Sequence, residues 1–153
     1  MDFPAFPDIP LDETDSPVSF HFEDVEIELP DEAVLADWLT QTAENEGKSI
    51  AALSYIFCSD EYLLQINREH LQHDYYTDVI TFQYSDAAIE GDVFISTDRV
   101  AENAAAHGAT FRHELCRIMV HGLLHLAGHS DKTEAERAAM TALENLYLAK
   151  ITF

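Results

Sequence analysis

The stretch DVITFQYSDAAIEGDVFIS, residues 78–96, decides the fold. Residues 78–84 and 89–96 are rich in β-branched and aromatic side chains with a short polar interruption between them, which predicts two paired strands. Upstream, 51–58 (AALSYIFC) is a compact apolar run and predicts a buried strand. Between these blocks, Ser59 or Asp60 caps a short helix through about residue 68, with Tyr62, Leu63 and Ile66 facing inward. Further upstream, 18–29 (VSFHFEDVEIEL) alternates as one strand or a hairpin. Pro30 reads as a helix start, and 31–46 place Val34, Leu35, Trp38 and Leu39 on one stripe before Gly47 ends it. Downstream the chain is helical. A helix over 97–106 is broken at Gly108, a longer one over 110–127 ends at Gly128, and Thr133 with Glu136 forms a capping box for a last helix over 134–150. Strands in the first half with helices before, between and after them define an α+β class, helices layered on a sheet.

At 153 residues and 47% hydrophobic, the chain can build one core of ordinary size. Residues 1–16 mix Pro4, Pro7 and Pro10 with acids and read as an acidic arm; 17–153 read as a single domain. No window approaches a membrane span, and the N-terminus lacks a basic leader region, so the expected location is the cytoplasm. Cys58 and Cys116 sit in apolar runs and read as buried reduced thiols. The formal charge is -21, and fourteen of the 29 acids precede the first basic residue, Lys48. A field of that sign repels polyanions, but its unevenness leaves room for a neutral or positive cleft elsewhere.

The chemistry concentrates in HGLLHLAGHSD, residues 121–131. On a helix His121 and His125 lie about 40° apart on one face, close enough for both imidazoles to reach one ion. Gly128 supplies the positive φ that ends the helix, and the reversal lets Asp131 return to the ion. Asp131 lies six beyond His125, the interval of the third ligand in H-E-x-x-H-x-x-G-x-x-H zinc enzymes. Two imidazoles and a carboxylate suit Zn2+, other divalent transition metals also fitting, and leave a position for water. The competing reading is two solvent-facing histidines and a plain helix stop. Where zinc peptidases carry a general-base Glu after the first His, this chain has Gly122, which disfavours peptide hydrolysis. Glu114 and Arg117 share the helical face of His121 and are candidates to support it. His129 is a candidate for substrate contact and a competing ligand. His70, His73 and Asp74 form a polar loop that either approaches the cleft or lies at the surface. Tyr75 and Tyr76 fit base stacking or packing.

The run HGLLHLAG, preceded by Glu114 and Leu115, resembles the signature of the bacterial YbeY family of metal-dependent endoribonucleases. Asp74 followed by TDVITF (77–82) and GDVFIS (91–96) resemble its upstream blocks, and the likeness spans roughly 50–145. The resemblance implies an α+β fold with helices on a small mixed sheet and a zinc ion in a cleft. It also implies cleavage of single-stranded RNA, linked to 16S rRNA 3′-end processing and ribosome quality control, with the small ribosomal subunit as partner. Carried over by position, His121, His125 and Asp131 are the ligands and act catalytically through the metal. The family pattern has His where this chain has Asp131. It has Arg, a natural phosphate contact, where this chain has Leu71; His73, Arg68, Arg117 or backbone amides are the candidates to replace it. Two alternatives stand beside a ribonuclease. One is a non-catalytic ribosome assembly factor with a structural metal, and the other is a small-molecule metal hydrolase.

Overall fold

The computed structural model describes residues 16–151. The elements in chain order are β1 (Val18–Phe22), α1 (Glu32–Asn45), β2 (Ile50–Cys58), α2 (Asp60–Leu71), β3 (Val79–Gln83), β4 (Ile89–Ser96), α3 (Thr97–His107), α4 (Phe111–Leu126) and α5 (Glu134–Leu148). The four strands form one sheet in the order β1-β2-β4-β3. β1 and β4 both run parallel to β2, and β3 pairs antiparallel with β4, Thr81 opposite Val93. The sheet is therefore mixed. The predicted pair is an antiparallel hairpin at one edge, and the parallel pairs require the helical crossovers that the intervening segments provide.

Strand periodicity sorts the side chains into two layers. Ile89, Val93 and Ile95 of β4 join Leu53, Tyr55 and Phe57 of β2 in the main core, capped by Leu35, Trp38 and Leu39 of α1, Leu115, Met119 and Leu123 of α4, and Met140 and Tyr147 of α5. The alternate residues, Cys58, Ile80, Phe82 and Phe94, point to the other face and pack on Leu63, Tyr62 and Ile66 of α2. Helix α4 rests directly on β4. A Cβ built at Gly122 would stand 2.8 Å from Val93 Cγ1, so this close seat requires glycine. Cys58 and Cys116 are free and buried, and burial foremost pushes both thiols up to about 12, which leaves them inert as nucleophiles.

Each helix starts on a side-chain cap. Asp31, Ser59, Ser96, Thr110 and Thr133 accept a backbone N–H from the first turn, and Thr133 with Glu136 closes the full capping box. Three readings shift. The strand predicted over 18–29 stops at Phe22. Glu23 N still donates to Phe57 O of β2 at 3.0 Å, but residues 24–29 lie in no strand, and their alternation reflects Val25, Ile27 and Leu29 dipping into the core. The stripe of α1 is rotated, with Val34 37% exposed while Thr42 and Ala43 are buried. Helix α2 runs one turn further, to Leu71, and ends on Gln72 in the left-handed conformation. The predicted acidic arm lies, but for residue 16, outside the described residues. Among the described residues no helix is long and apolar enough to cross a membrane.

Candidate metal centre

The C-terminal end of α4 is closed by a Schellman motif. Gly128, at φ +107°, donates to His125 O at 3.0 Å and His129 N donates to Leu124 O at 3.0 Å. The reversal folds the following loop back over the last turn. There His121 Nε2, His125 Nε2 and Asp131 Oδ2 form a triangle with edges of 3.0, 3.3 and 3.4 Å. A tetrahedral ion with bonds of about 2.0–2.1 Å separates its ligand atoms by about 3.3 Å, so the triangle has the size of one face of such a centre. Together these three residues are a group able to hold a metal ion.

The outer nitrogens define which way the rings present their lone pairs. His121 Nδ1 lies 2.6 Å from Glu144 Oε2, and His125 Nδ1 lies 3.1 Å from the His129 carbonyl oxygen. Both partners accept, so both Nδ1 atoms carry the proton and both Nε2 lone pairs face the triangle's centre. In the neutral rings two lone pairs and a carboxylate oxygen converge on one point, where a metal ion, or a proton in its place, relieves their repulsion. The donor chemistry therefore fits a divalent ion. Burial disfavours the charged form of His121, but the Glu144 hydrogen bond, then the charges of Glu144, Asp131 and Asp78, outweigh it and raise its pKa. The same partner makes the ring a stronger ligand.

Glu144 is itself pinned. It is 6% exposed, and its second oxygen takes a 2.9 Å hydrogen bond from Arg117, whose other nitrogen donates to Asn145 at 2.8 Å. Arg117 and His121, one turn apart on α4, thus grip the two oxygens of one carboxylate on α5, and the buried charge is paired. The guanidinium of Arg117, a substrate-contact candidate, is bonded into this support. Glu114 is two turns from the ligands with His107 3.5 Å away, and it touches neither histidine. The ring of His129 points away from the triangle to Glu46, at 2.6 Å, and its contribution to the centre is its carbonyl.

His73, Tyr75 and Tyr76 fall in the connection between α2 and β3. His73 stacks on Tyr75 with centroids 5.1 Å apart. Asn67, buried, accepts from His73 N at 3.0 Å and donates to Tyr75 O at 2.9 Å, tying the loop to α2. Tyr76 donates to Glu61, and Arg68 pairs with Asp74. Leu71 is exposed there. On the sheet face away from α4, a groove of about 400 Å³ opens between α2 and the β3–β4 hairpin, with Tyr62, Ile66, Phe82 and Phe94 as walls and Glu69 and Asp92 at its rim. It shares no residue with the metal group. Sequence reasoning missed Glu144. Its signal was available, since it lies four after Met140 and three before Tyr147 on the apolar side of α5, where an acid needs a partner.

A family model described as Endoribonuclease YbeY matches residues 18–152. A protein of that name from Cytophaga hutchinsonii is 50% identical over 134 residues, 86% of this chain and 94% of the relative. Another from Parabacteroides distasonis is 44% identical over 133 residues, 86% of this chain and 94% of the relative. A solution structure of a Thermotoga maritima protein superposes with a TM-score of 0.64 at 22% identity, covering 88% of each chain, a likeness of fold.

Proposed function

The chain belongs to the YbeY endoribonuclease family, and from that premise we propose that it is a zinc-dependent endoribonuclease cutting single-stranded RNA in the cytoplasm. Its task in this reading is maturation of ribosomal RNA at the 16S 3′ end on the small subunit, and through it ribosome quality control, with residues 17–153 as the nuclease domain. The observation that carries the reading is the convergence of His121 Nε2, His125 Nε2 and Asp131 Oδ2 within 3.4 Å of one another, each imidazole held by an acceptor at its far nitrogen.

A bound divalent ion supplies Lewis acidity to a phosphoryl oxygen and lowers the pKa of water. The protein's part is orientation and charge. Two neutral imidazoles and one carboxylate offer such an ion a single formal negative charge, and Arg117 neutralises Glu144 behind them. With a divalent ion held there, these groups would leave one net positive charge in a chain of formal charge -21, which would favour a phosphodiester at this site over the rest of the surface. Peptide hydrolysis is disfavoured by position as well as by residue type. Gly122, at the place of a peptidase base, faces Val93 across the helix–sheet contact and leaves no room for a Glu. His73 and Tyr75 form a preorganised stacked pair suited to hold an unpaired base.

The test is cleavage of a labelled single-stranded RNA by zinc-loaded protein beside folded His121→Ala and Asp131→Ala variants. Loss of at least about a hundredfold in both is expected, as removing a ligand costs more than the tenfold to hundredfold of an outer partner. No cleavage by a protein holding stoichiometric zinc overturns the reading in favour of an assembly factor or a small-molecule hydrolase.

A further inference from the structure

A second acid, from the end of α1, reaches the metal loop. Glu46 is the C-cap of α1, its backbone N–H bonded to carbonyls of the last helical turn. One carboxylate oxygen takes the 2.6 Å contact with His129 Nε2, and the other accepts from the hydroxyl of Tyr147, which in turn accepts from Asn45 Nδ2 at 2.8 Å. Tyr147 is 1% exposed, and its carbonyl is fixed by Trp38 Nε1 at 2.9 Å. The Glu46 carboxylate is thus immobilised from both sides. Burial alone would raise its pKa, but the hydrogen bonds from Tyr147 and His129 and the charge of His129 hold it below the usual carboxylate range.

What Glu46 immobilises is the residue that matters most for the loop. The carbonyl of His129 accepts from His125 Nδ1 at 3.1 Å, and Asp131 follows two residues later. Fixing the His129 ring therefore fixes the acceptor that orients His125 and the start of the segment that delivers Asp131. His121 has its own carboxylate, Glu144, three residues before Tyr147 on α5. The centre is held by two arms from one helix face, a direct one through Glu144 and an indirect one through Tyr147 and Glu46. Without the indirect arm, the first half of the loop 127–132 is held by its Schellman bonds and the His125 contact, while its second half keeps the contacts of Arg137 with the carbonyls of Asp131 and Lys132 and those of Glu136 with Ser130 and Lys132.

We propose that Glu46 is a positioning residue of the metal centre, acting through His129 to set the lone pair of His125 and the reach of Asp131. The inference rests on the reading of His121, His125 and Asp131 as zinc ligands, and its test separates the two. Zinc affinity is measured on the full chain by competition with a chromogenic chelator, with the thermal midpoint of the metal-free protein followed in parallel, for Glu46→Ala, Glu46→Gln, His129→Ala, the double variant and His121→Ala. Glu46→Ala is expected to weaken zinc binding roughly tenfold to hundredfold, the usual cost of an outer-shell partner. Glu46→Gln, which keeps an acceptor for His129, recovers most of that loss. His129→Ala, a partly exposed site that leaves the backbone carbonyl in place, weakens binding to a similar degree. The double variant is no weaker than the worse single one, because both break one contact. Wild-type affinity in folded Glu46→Ala and His129→Ala proteins overturns the proposal, as does a fully additive double variant. A lowered midpoint with unchanged affinity also overturns it, reducing Glu46 to a structural clamp. Wild-type affinity in His121→Ala overturns instead the ligand assignment on which it stands.

Discussion

The end of α4 and the connection between α2 and β3 both present polar and aromatic side chains, yet they are held by different means. At the end of α4 the supports come from far along the chain: Glu144 to His121, 23 residues away, and Glu46 to His129, 83 residues away. In the connection most are nearer, with His73 on Tyr75 two residues apart, Arg68 on Asp74 six apart and Tyr76 on Glu61 fifteen apart, while Arg99, over the Tyr76 ring at 5.3 Å, comes from further. Long-range support buys positional accuracy because the acceptors are set in the core, and it couples the centre to global stability. Local support holds a shape that can change without disturbing the core. Substitutions in the first region should therefore move stability and metal affinity together, and substitutions in the second should move substrate affinity alone.

The largest separation is expected at Glu144. In Glu144→Ala the guanidinium of Arg117 and Nδ1 of His121 lose their common acceptor in a site that is mostly buried. Arg117 keeps Asn145, but its charge and the His121 N–H both lose the buried carboxylate, which costs about 2–3 kcal/mol, a fall in thermal midpoint of roughly 5–10 °C for a chain of this size. Zinc affinity should drop roughly tenfold to hundredfold in the same protein. Calorimetry with and without metal reads both quantities. A variant that lost affinity at an unchanged midpoint would break the coupling claimed for this region.

Gly122→Ala probes the seat of the same helix without touching a ligand. The added Cβ meets both γ-methyls of Val93, at 2.8 and 3.2 Å, so α4 must lift or the valine must turn. Overpacking of this kind costs about 1–3 kcal/mol. Because His121 flanks the site and moves with the helix, a weaker loss of zinc affinity, about threefold to tenfold by comparison with removal of an outer partner, should accompany it. An unchanged midpoint in denaturation would show that the helix–sheet contact has slack, and that the position of His121 owes less to the sheet than to Glu144.

The same contrast explains what the sequence disclosed. His121, His125, Gly128 and Asp131 are readable because their geometry is set by spacing along ten residues, a helix turn and its stop. The caps of Ser59 and Thr133, and the β3–β4 hairpin, are local in the same sense. Parallel pairing of β1 with β2 was not readable from periodicity, since alternation fixes a face but not a partner or a direction. Residues 24–29 show the cost: their alternation is real, but the pairing with β2 ends at Glu23. Glu46 and Glu144 were invisible as supports because nothing within their own segments tells which helix they will meet. Only the apolar neighbours of Glu144 marked it as an acid with an obligation. Arg117 and His129 were singled out from the sequence as candidates for substrate contact. Their bonds to Glu144 and Glu46 depend on where those two distant acids fold.

The smallest effect belongs to the connection. Tyr75 is 55% exposed, and its only side-chain hydrogen bond among the described residues is to its stacked neighbour His73, at 2.9 Å. Removing its ring in Tyr75→Ala leaves the backbone contacts of Asn67 untouched, so stability should stay within about 0.5 kcal/mol of wild type and zinc affinity should not change. If the pair stacks on an RNA base, the loss is about 1 kcal/mol, at the low end for such contacts, seen as a roughly fivefold rise in KM for a single-stranded substrate with kcat retained. His73→Ala should reproduce it, since the tyrosine then loses the partner that holds its plane. A fall in kcat with KM unchanged would place the loop against the reacting phosphate instead. That result would erase the division of labour between the two regions, because a locally supported loop would then be contributing to the chemistry that the long-range contacts of α4 were taken to serve alone.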